Sequence, residues 1–360
     1  MKDLVTGLIS LIEILQFPLG IVITPLILRH KEYTRWVWVA GAAAGGALAY
    51  LGHTAAPIGG IFLLMVVWFY LLNPFSLLQN RKAVLGIVIL TMFIVVAVFA
   101  DQIAPYDPQQ MGTGAPHGPP TWEDQRGNMH IFGTGRTGKD IFSQTVVGAR
   151  TSLAVGFGAG TIIITLCIII GITAGYVGGF VDEALSLFTN IFLIIPGLPL
   201  IIVVAGWVSR PGPTTIVLVL SFTSWAWGAR VLRSQTLVLR NSEFVAAARV
   251  SGESTWRIVL FEILPNMTSL VVSSWIGAVV FVILTEATLA YIGLGNPSAT
   301  SWGGTLYWAR NDQALITHAW WTFVPPGACI ALVGLSLTLI NYGIDEITNP
   351  RLRTEGAKAK

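Results

Sequence analysis

Charge is what this chain has least of. Only 11% of its 360 residues are Asp, Glu, Lys or Arg, against about 25% in a soluble domain. That shortage excludes a water-facing globular domain over most of the length. The five histidines are scattered, and no two stand at metal-ligand spacing, so no metal site is expected. Only two cysteines occur, Cys167 and Cys329, each inside an apolar run. They read as small buried hydrophobes rather than a disulfide or a metal pair. Strands of alternating polarity are missing, which argues against an outer-membrane barrel. No Ser-His-Asp, HExxH or paired-carboxylate arrangement falls within a common span, so there is no case for a membrane enzyme. A net charge of +3 suggests no nucleic-acid partner. No small-residue cleavage site follows Met1-Lys2-Asp3, so no cleavable signal is expected.

What is abundant is hydrophobicity, at 54% of residues with a mean hydropathy of +0.70. The expectation is an all-α integral membrane protein in membrane lipid. A crossing helix needs roughly 20 mainly apolar residues. Candidate spans fall at about 5–28, 36–52, 57–75, 83–100, 153–176, 185–208, 213–232, 268–290 and 322–343. Lys and Arg mark the cytoplasmic side. They cluster at Arg29, Lys31 and Arg35; at Arg81 and Lys82; at Arg230, Arg233, Arg240, Arg249 and Arg257; and at Arg351, Arg353, Lys358 and Lys360. With these crossings all four clusters share one side. The C-terminus is then cytoplasmic and the N-terminus outside, in a multi-pass protein of the cell membrane. Arg126, Arg136, Lys139 and Arg150 break the rule, but they lie in a long outer loop, 101–152, where it weakens. The first span, with Glu13, Pro18 and Pro25, is also open to an interfacial or re-entrant reading. Residues 41–49, GAAAGGALA, allow close helix packing.

One polar island stands between apolar spans, Ser242 to Pro265, SEFVAAARVSGESTWRIVLFEILP. It reads as two short helices with a break. Ser242 suits the first N-cap, and Glu243 suits the positive helix end. Gly252 suits the left-handed residue that ends the first helix. Ser254 suits the second cap, Trp256, Val259, Leu260 and Ile263 share one helical face, and Pro265 stops the helix. An ordered amphipathic pair on one side of a bilayer offers itself to a partner.

Other features have plainer readings. Gly133 to Lys139, GTGRTGK, nearly matches a phosphate-binding loop. Asp140 stands where that loop needs Ser or Thr, no apolar strand precedes it, and it falls outside, so it reads as a structural turn before a helix. Glu286 lies within an apolar span and is a functional hypothesis by default. A hydrogen-bonding strut, part of a substrate pathway and a proton-coupling group are all open. Glu13 suits a helix interface or headgroup level. Asp101, Asp182 and Glu183 fall at span ends, facing water. Trp36, Trp38, Trp302, Trp308, Trp320 and Trp321 read as an interfacial belt.

Residues 242–265 resemble the cytoplasmic coupling loop of ABC-transporter permeases: Glu-Ala-Ala, three residues, Gly, then Ile-x-Leu-Pro. Ala247, Ala248, Gly252, Leu264 and Pro265 match. Ala246 replaces the Glu, and Glu262 replaces the Ile, with Ile263 beside it. More widely, 80–353 resembles the C-type permease of the dipeptide/oligopeptide/nickel ABC importer family. Asp101–Pro108 (DQIAPYDP), Gly133–Leu153, Ile292–Arg310 (IGLGNPSATSWGGTLYWAR), Trp320-Trp321, Pro326-Gly327 and the tail NPRLR carry it.

The resemblance implies a six-helix permease core at 80–353 with its coupling loop at 236–266. Residues 1–79 would be an extension of about three membrane helices, and 354–360 a cytoplasmic tail. It implies a second homologous permease, two ATPase subunits that bind ATP and Mg, and an extracytoplasmic solute-binding protein. This chain would carry no cofactor of its own. Ala247, Ala248, Arg249, Gly252 and Trp256 would meet the ATPase, with Leu264 and Pro265 completing the coupling motif. Arg249 would pair there with an acidic residue or else face headgroups and solvent. Peptide, oligosaccharide and nickel chelate remain open as cargo. A secondary transporter would need inverted repeats and midplane charges, and Glu286 stands nearly alone.

Overall fold

The computed structural model describes residues 80–121, 127–207, 212–295 and 299–348. The spans expected at 5–28, 36–52 and 57–75, and the tail 354–360, lie outside the described residues. Among the described residues the secondary structure is helical, with two isolated bridges, Thr121–His130 and Thr134–Asp140.

Helix α1 is Arg81–Val98. Asn80 caps it, its Oδ1 accepting from the Lys82 and Ala83 amides at 2.9 and 3.4 Å. After the loop 104–140 comes α2, Ile141–Cys167, which continues through a π-helical turn, Ile168–Ile172, into Thr173–Val177. The rod is 37 residues long, about 55 Å at 1.5 Å per residue, well beyond a hydrocarbon layer of about 30 Å. It begins at Ile141, inside the stretch expected to be loop until residue 152. Asp140 is the reason: its Oδ2 accepts from the Ser143 amide and hydroxyl, both at 2.7 Å.

The span expected at 185–208 is broken into α3, Gly179–Ile194, and α4, Gly197–Gly206, bent by 83°. Pro196 has no N–H with which to continue the ladder. The span expected at 213–232 is also bent, by 45°, between α5, Pro213–Ser224, and α6, which runs on to Arg240 from Ala226. Then follow α7, Glu243–Val250, and α8, formed by Thr255–Arg257, Ile258–Ile263 and Leu264–Asn266. The last helices are α9, Thr268–Tyr291, α10, Trp302–Asn311, and α11, Val324–Thr348.

α2 is the axis of the bundle. α9 lies along it, α1 and α11 flank its first half, and α5 and α6 flank its second. Small residues permit the approach: Gly156 and Gly160 face Ile283 and Val279 of α9, while Gly171 and Gly175 face α6. Two apolar clusters result. One joins Leu90, Phe157, Val279 and Leu337, and the other joins Ile172, Leu220, Leu232 and Met267.

The loop 104–140 is stapled from beneath. His130 Nδ1 lies 2.9 Å from Asp140 Oδ1, and its Nε2 lies 3.2 Å from the Thr113 carbonyl. Tyr106 stacks on the imidazole with centroids 5.2 Å apart. Arg150, a misfit to the charge rule, donates to the Ala97 and Val98 carbonyls at the end of α1 and to Asp101. It closes a helix C-terminus, where a cation is favoured. The Gly133–Lys139 turn folds back under Gly112 and Gly114, with Gly133 and Gly138 at positive φ. Trp302 is no belt residue: it is fully buried and donates from Nε1 to the Thr145 carbonyl at 2.9 Å.

Candidate functional site

The Arg-rich end of the bundle presents α7 and α8 as a hairpin of helices. Ser242 and Ser254 occupy the N-cap positions without making side-chain caps; Ser242 Oγ instead donates back to the Leu239 carbonyl at 2.6 Å. The break after α7 follows the sequence expectation closely. Gly252 has φ +77°, its amide donates to the Arg249 carbonyl, and the Glu253 amide donates to the Ala248 carbonyl. This pair of bonds is a Schellman motif.

α8 departs from the single apolar face. Its middle is a π-helical stretch, Ile258–Ile263, whose wider turn re-aims the side chains. Ile258 and Ile263 enter the core, whereas Trp256 is 70% exposed and Leu260 is also exposed. Pro265 does not end the helix at Ile263; it sits in the first turn of Leu264–Asn266, and the break falls at Met267.

The expected site residues divide by depth. Ala247, Arg249, Gly252 and Trp256 are exposed and Ala248 is half-buried. Leu264 lies in the core and Pro265 is half-buried behind them. Val245, fully buried, roots α7 in the same cluster as Leu264 and Met267. The hairpin exposes large apolar side chains among its charged ones, with Val250 90% exposed and Phe244, Trp256 and Phe261 also exposed. An exposed apolar patch of this kind marks a contact surface.

Arg249 turns inward. Its guanidinium carbon lies 5.3 Å from the centre of the Tyr176 ring. Its Nε is 3.5 Å from the Tyr176 hydroxyl, and its Nη2 is 3.4 Å from the Arg240 carbonyl. The hairpin is thereby tied to the end of α2. Asp182 of α3 is likewise not simply water-facing: Arg233 of α6 grips it with Nε at 2.5 Å and Nη2 at 2.7 Å. Both ties cross between helices and have no periodic sequence signal. An exposed cation such as Arg249 over a ring contributes about 0.5–1 kcal/mol. Tyr176→Leu is therefore expected to raise hydrogen exchange of the α7 amides about two- to fivefold. Tyr176→Phe keeps the ring and should change it little. Equal exchange in all three proteins would remove the tie.

Glu286 lies at the other end of α9, 3% exposed. Ser152 of α2 donates to its Oε2 at 3.5 Å, and Ser301, just before α10, lines the same small pocket. Ser152 Oγ also accepts from the Trp302 amide at 3.2 Å. This is strut geometry, joining α2, α9 and α10. Thr151, Pro213 and Ile216 also border that pocket. No group of His, Cys, Asp and Glu that could hold a metal occurs among the described residues.

Two family models match the chain. Residues 167–354 match the binding-protein-dependent transport system inner membrane component. Residues 75–120 match the N-terminal TM domain of oligopeptide transport permease C. An oligopeptide transport system permease protein of Bacillus subtilis (strain 168) is 32% identical over 276 residues, which cover 76% of this chain and 87% of the relative. A dipeptide transport system permease protein of the same strain is 31% identical over 280 residues, 76% and 83% of the two chains. A di/tripeptide transport system permease protein of Pseudomonas aeruginosa (strain UCBPP-PA14) is 29% identical over 280 residues, 77% and 91%.

Proposed function

Because the chain belongs to the family of binding-protein-dependent transport system inner membrane components, we propose that it is the permease subunit of an ATP-driven peptide importer. Peptide is the cargo that the names of its relatives share. A second permease completes the pore, two ATPase subunits bind ATP and Mg, and a solute-binding protein delivers cargo from outside. The Arg-rich end faces the cytoplasm, as the charge rule favours.

The observation that carries this reading is the α7–α8 hairpin. It exposes large apolar side chains, is rooted by Val245 inside, and turns at Gly252. Closure of the ATPase dimer would push the hairpin as a unit. The push would rock α6 and α9, which flank it, between inward- and outward-open forms. Ala247, Ala248, Gly252 and Trp256 form the contact, and Arg249 positions it through Tyr176. Leu264 and Pro265 pass the motion into the core. Glu286 holds α2, α9 and α10 together at the outer end.

Gly252→Leu tests the assignment. Nothing lies within 4 Å of a Cβ at that position, so the cost is the left-handed backbone, about 1–2 kcal/mol. The variant should stay in the membrane and co-purify with its partners, while cargo stimulation of ATP hydrolysis is lost. Unchanged stimulation in reconstituted complexes would falsify the coupling role.

A further inference from the structure

Unpaired backbone is costly inside a bilayer, and the elbow between α3 and α4 places some there. α3 has 16 residues, about 24 Å of rise. Measured from the Arg-rich end, the elbow at Ile195–Pro196–Gly197 therefore falls within a hydrocarbon layer of about 30 Å. Pro196 and Pro199 have no N–H, so the carbonyls of Phe192 and Ile195 lack the donor four residues on. Residues 194–199 are all exposed, Ile194 at 79%. A Cβ on Gly197 would meet open space.

Lipid is a poor cover for this surface. Non-helical backbone at membrane depth persists only where protein buries it or where it lines a water-filled cavity. The opposite side of α4 is already anchored, because Ile201 is buried with Ile216 and Leu220. The free side offers Leu198, Ile202 and Val203. No charged side chain occurs between Phe188 and Trp207, and Asn190 is engaged by Arg230. The polar groups left on this wall are main-chain ones, the carbonyls before the two prolines and the amides that open α4. Carbonyls on an apolar wall accept N–H groups whatever side chains accompany them. A peptide, with one N–H per residue and any side chains, fits that chemistry.

We propose that the α3–α4 elbow lines the translocation passage and that its free carbonyls accept main-chain N–H groups of the passing peptide. This rests on the importer reading above. The rival cover is the second permease subunit, which would bury the elbow away from water.

The test uses the complete importer in liposomes, with Cys167→Ala and Cys329→Ala in this chain. Gly197→Cys is then modified with a membrane-impermeant, water-soluble thiol reagent during turnover. Met111→Cys, in the exposed loop, and Val88→Cys, on an exposed apolar face of α1, set the fast and slow limits. Gly197→Cys is expected to react at least about tenfold faster than Val88→Cys. Pentaalanine at saturation should slow it about fivefold or more, as occupancy of one site requires. Reaction as slow as at Val88→Cys, or as fast with pentaalanine as without, overturns the proposal. ATP hydrolysis on the same preparation separates the two readings. Stimulation by pentaalanine without labelling sinks the elbow alone, whereas labelling without stimulation sinks the peptide reading and the elbow's cargo role with it.

Discussion

Asp140→Ala is expected to loosen the loop 104–140 by far more than the loss of one helix cap. Three partners converge on this carboxylate: the Ser143 amide, the Ser143 hydroxyl and His130 Nδ1. Its side chain is fully buried, and that of His130 is 2% exposed. Removing the cap alone costs about 1 kcal/mol. Leaving His130 Nδ1 buried without its acceptor adds about 1–3 kcal/mol, because His130 then keeps only the Thr113 carbonyl, on its other nitrogen. The start of α2 should fray, and the loop should lose its floor. Limited proteolysis of the purified protein should cut between residues 104 and 140 at least about tenfold faster, the ratio expected from 1.4 kcal/mol or more of local destabilisation. Asp140→Asn, which keeps an acceptor for the Ser143 amide, should lose less. His130→Leu added to Asp140→Ala should recover part of the loss, since an apolar replacement of both partners is often tolerated. Cleavage of Asp140→Ala at the original rate would mean that the pair does not hold the loop.

The sequence is clear where one physical signal dominates. Apolar length alone places α1, α9 and α11, because a membrane helix must satisfy its own backbone. The Gly252 stop is legible because few residues tolerate positive φ. The elbow at Pro196 was open to the same reasoning, yet the uninterrupted hydropathy of 185–208 masks it. The π-turns at Ile168–Ile172 and Ile258–Ile263 have no local signal. They follow from packing, and the second of them divides the expected Trp256–Ile263 face. Contacts between distant residues are the least legible. Arg150 reads as a charge-rule violation until α1 ends beside it. Asp182 reads as solvated until Arg233 arrives from 51 positions on. Trp302 reads as a headgroup anchor until Thr145 and Ser152 surround it.

Gly160→Leu should cause a large loss of folded protein. A Cβ there would stand 2.6 Å from Val279 Cγ2 and 3.1 Å from the Val279 amide nitrogen. Neither neighbour can yield. Valine has essentially one side-chain rotamer in a helix, and the amide belongs to α9 itself, at a fully buried residue. The remaining escape is to part α2 from α9. That separation also strains the Ser152–Glu286 bridge, which crosses between the same two helices. Overpacking a core costs about 1–3 kcal/mol when the surroundings can shift, and backbone contact puts this case at or above the upper end. Gly277→Leu is the control, on α9 with nothing within 4 Å of the added carbon. Thermal unfolding followed by size-exclusion in detergent should show Gly277→Leu near the parent and Gly160→Leu largely aggregated. Gly160→Ala should fall between them and improve when Val279→Ala removes the clashing methyl. Equal behaviour of the Gly160 and Gly277 variants would mean that the two helices are not held at glycine distance in the folded protein.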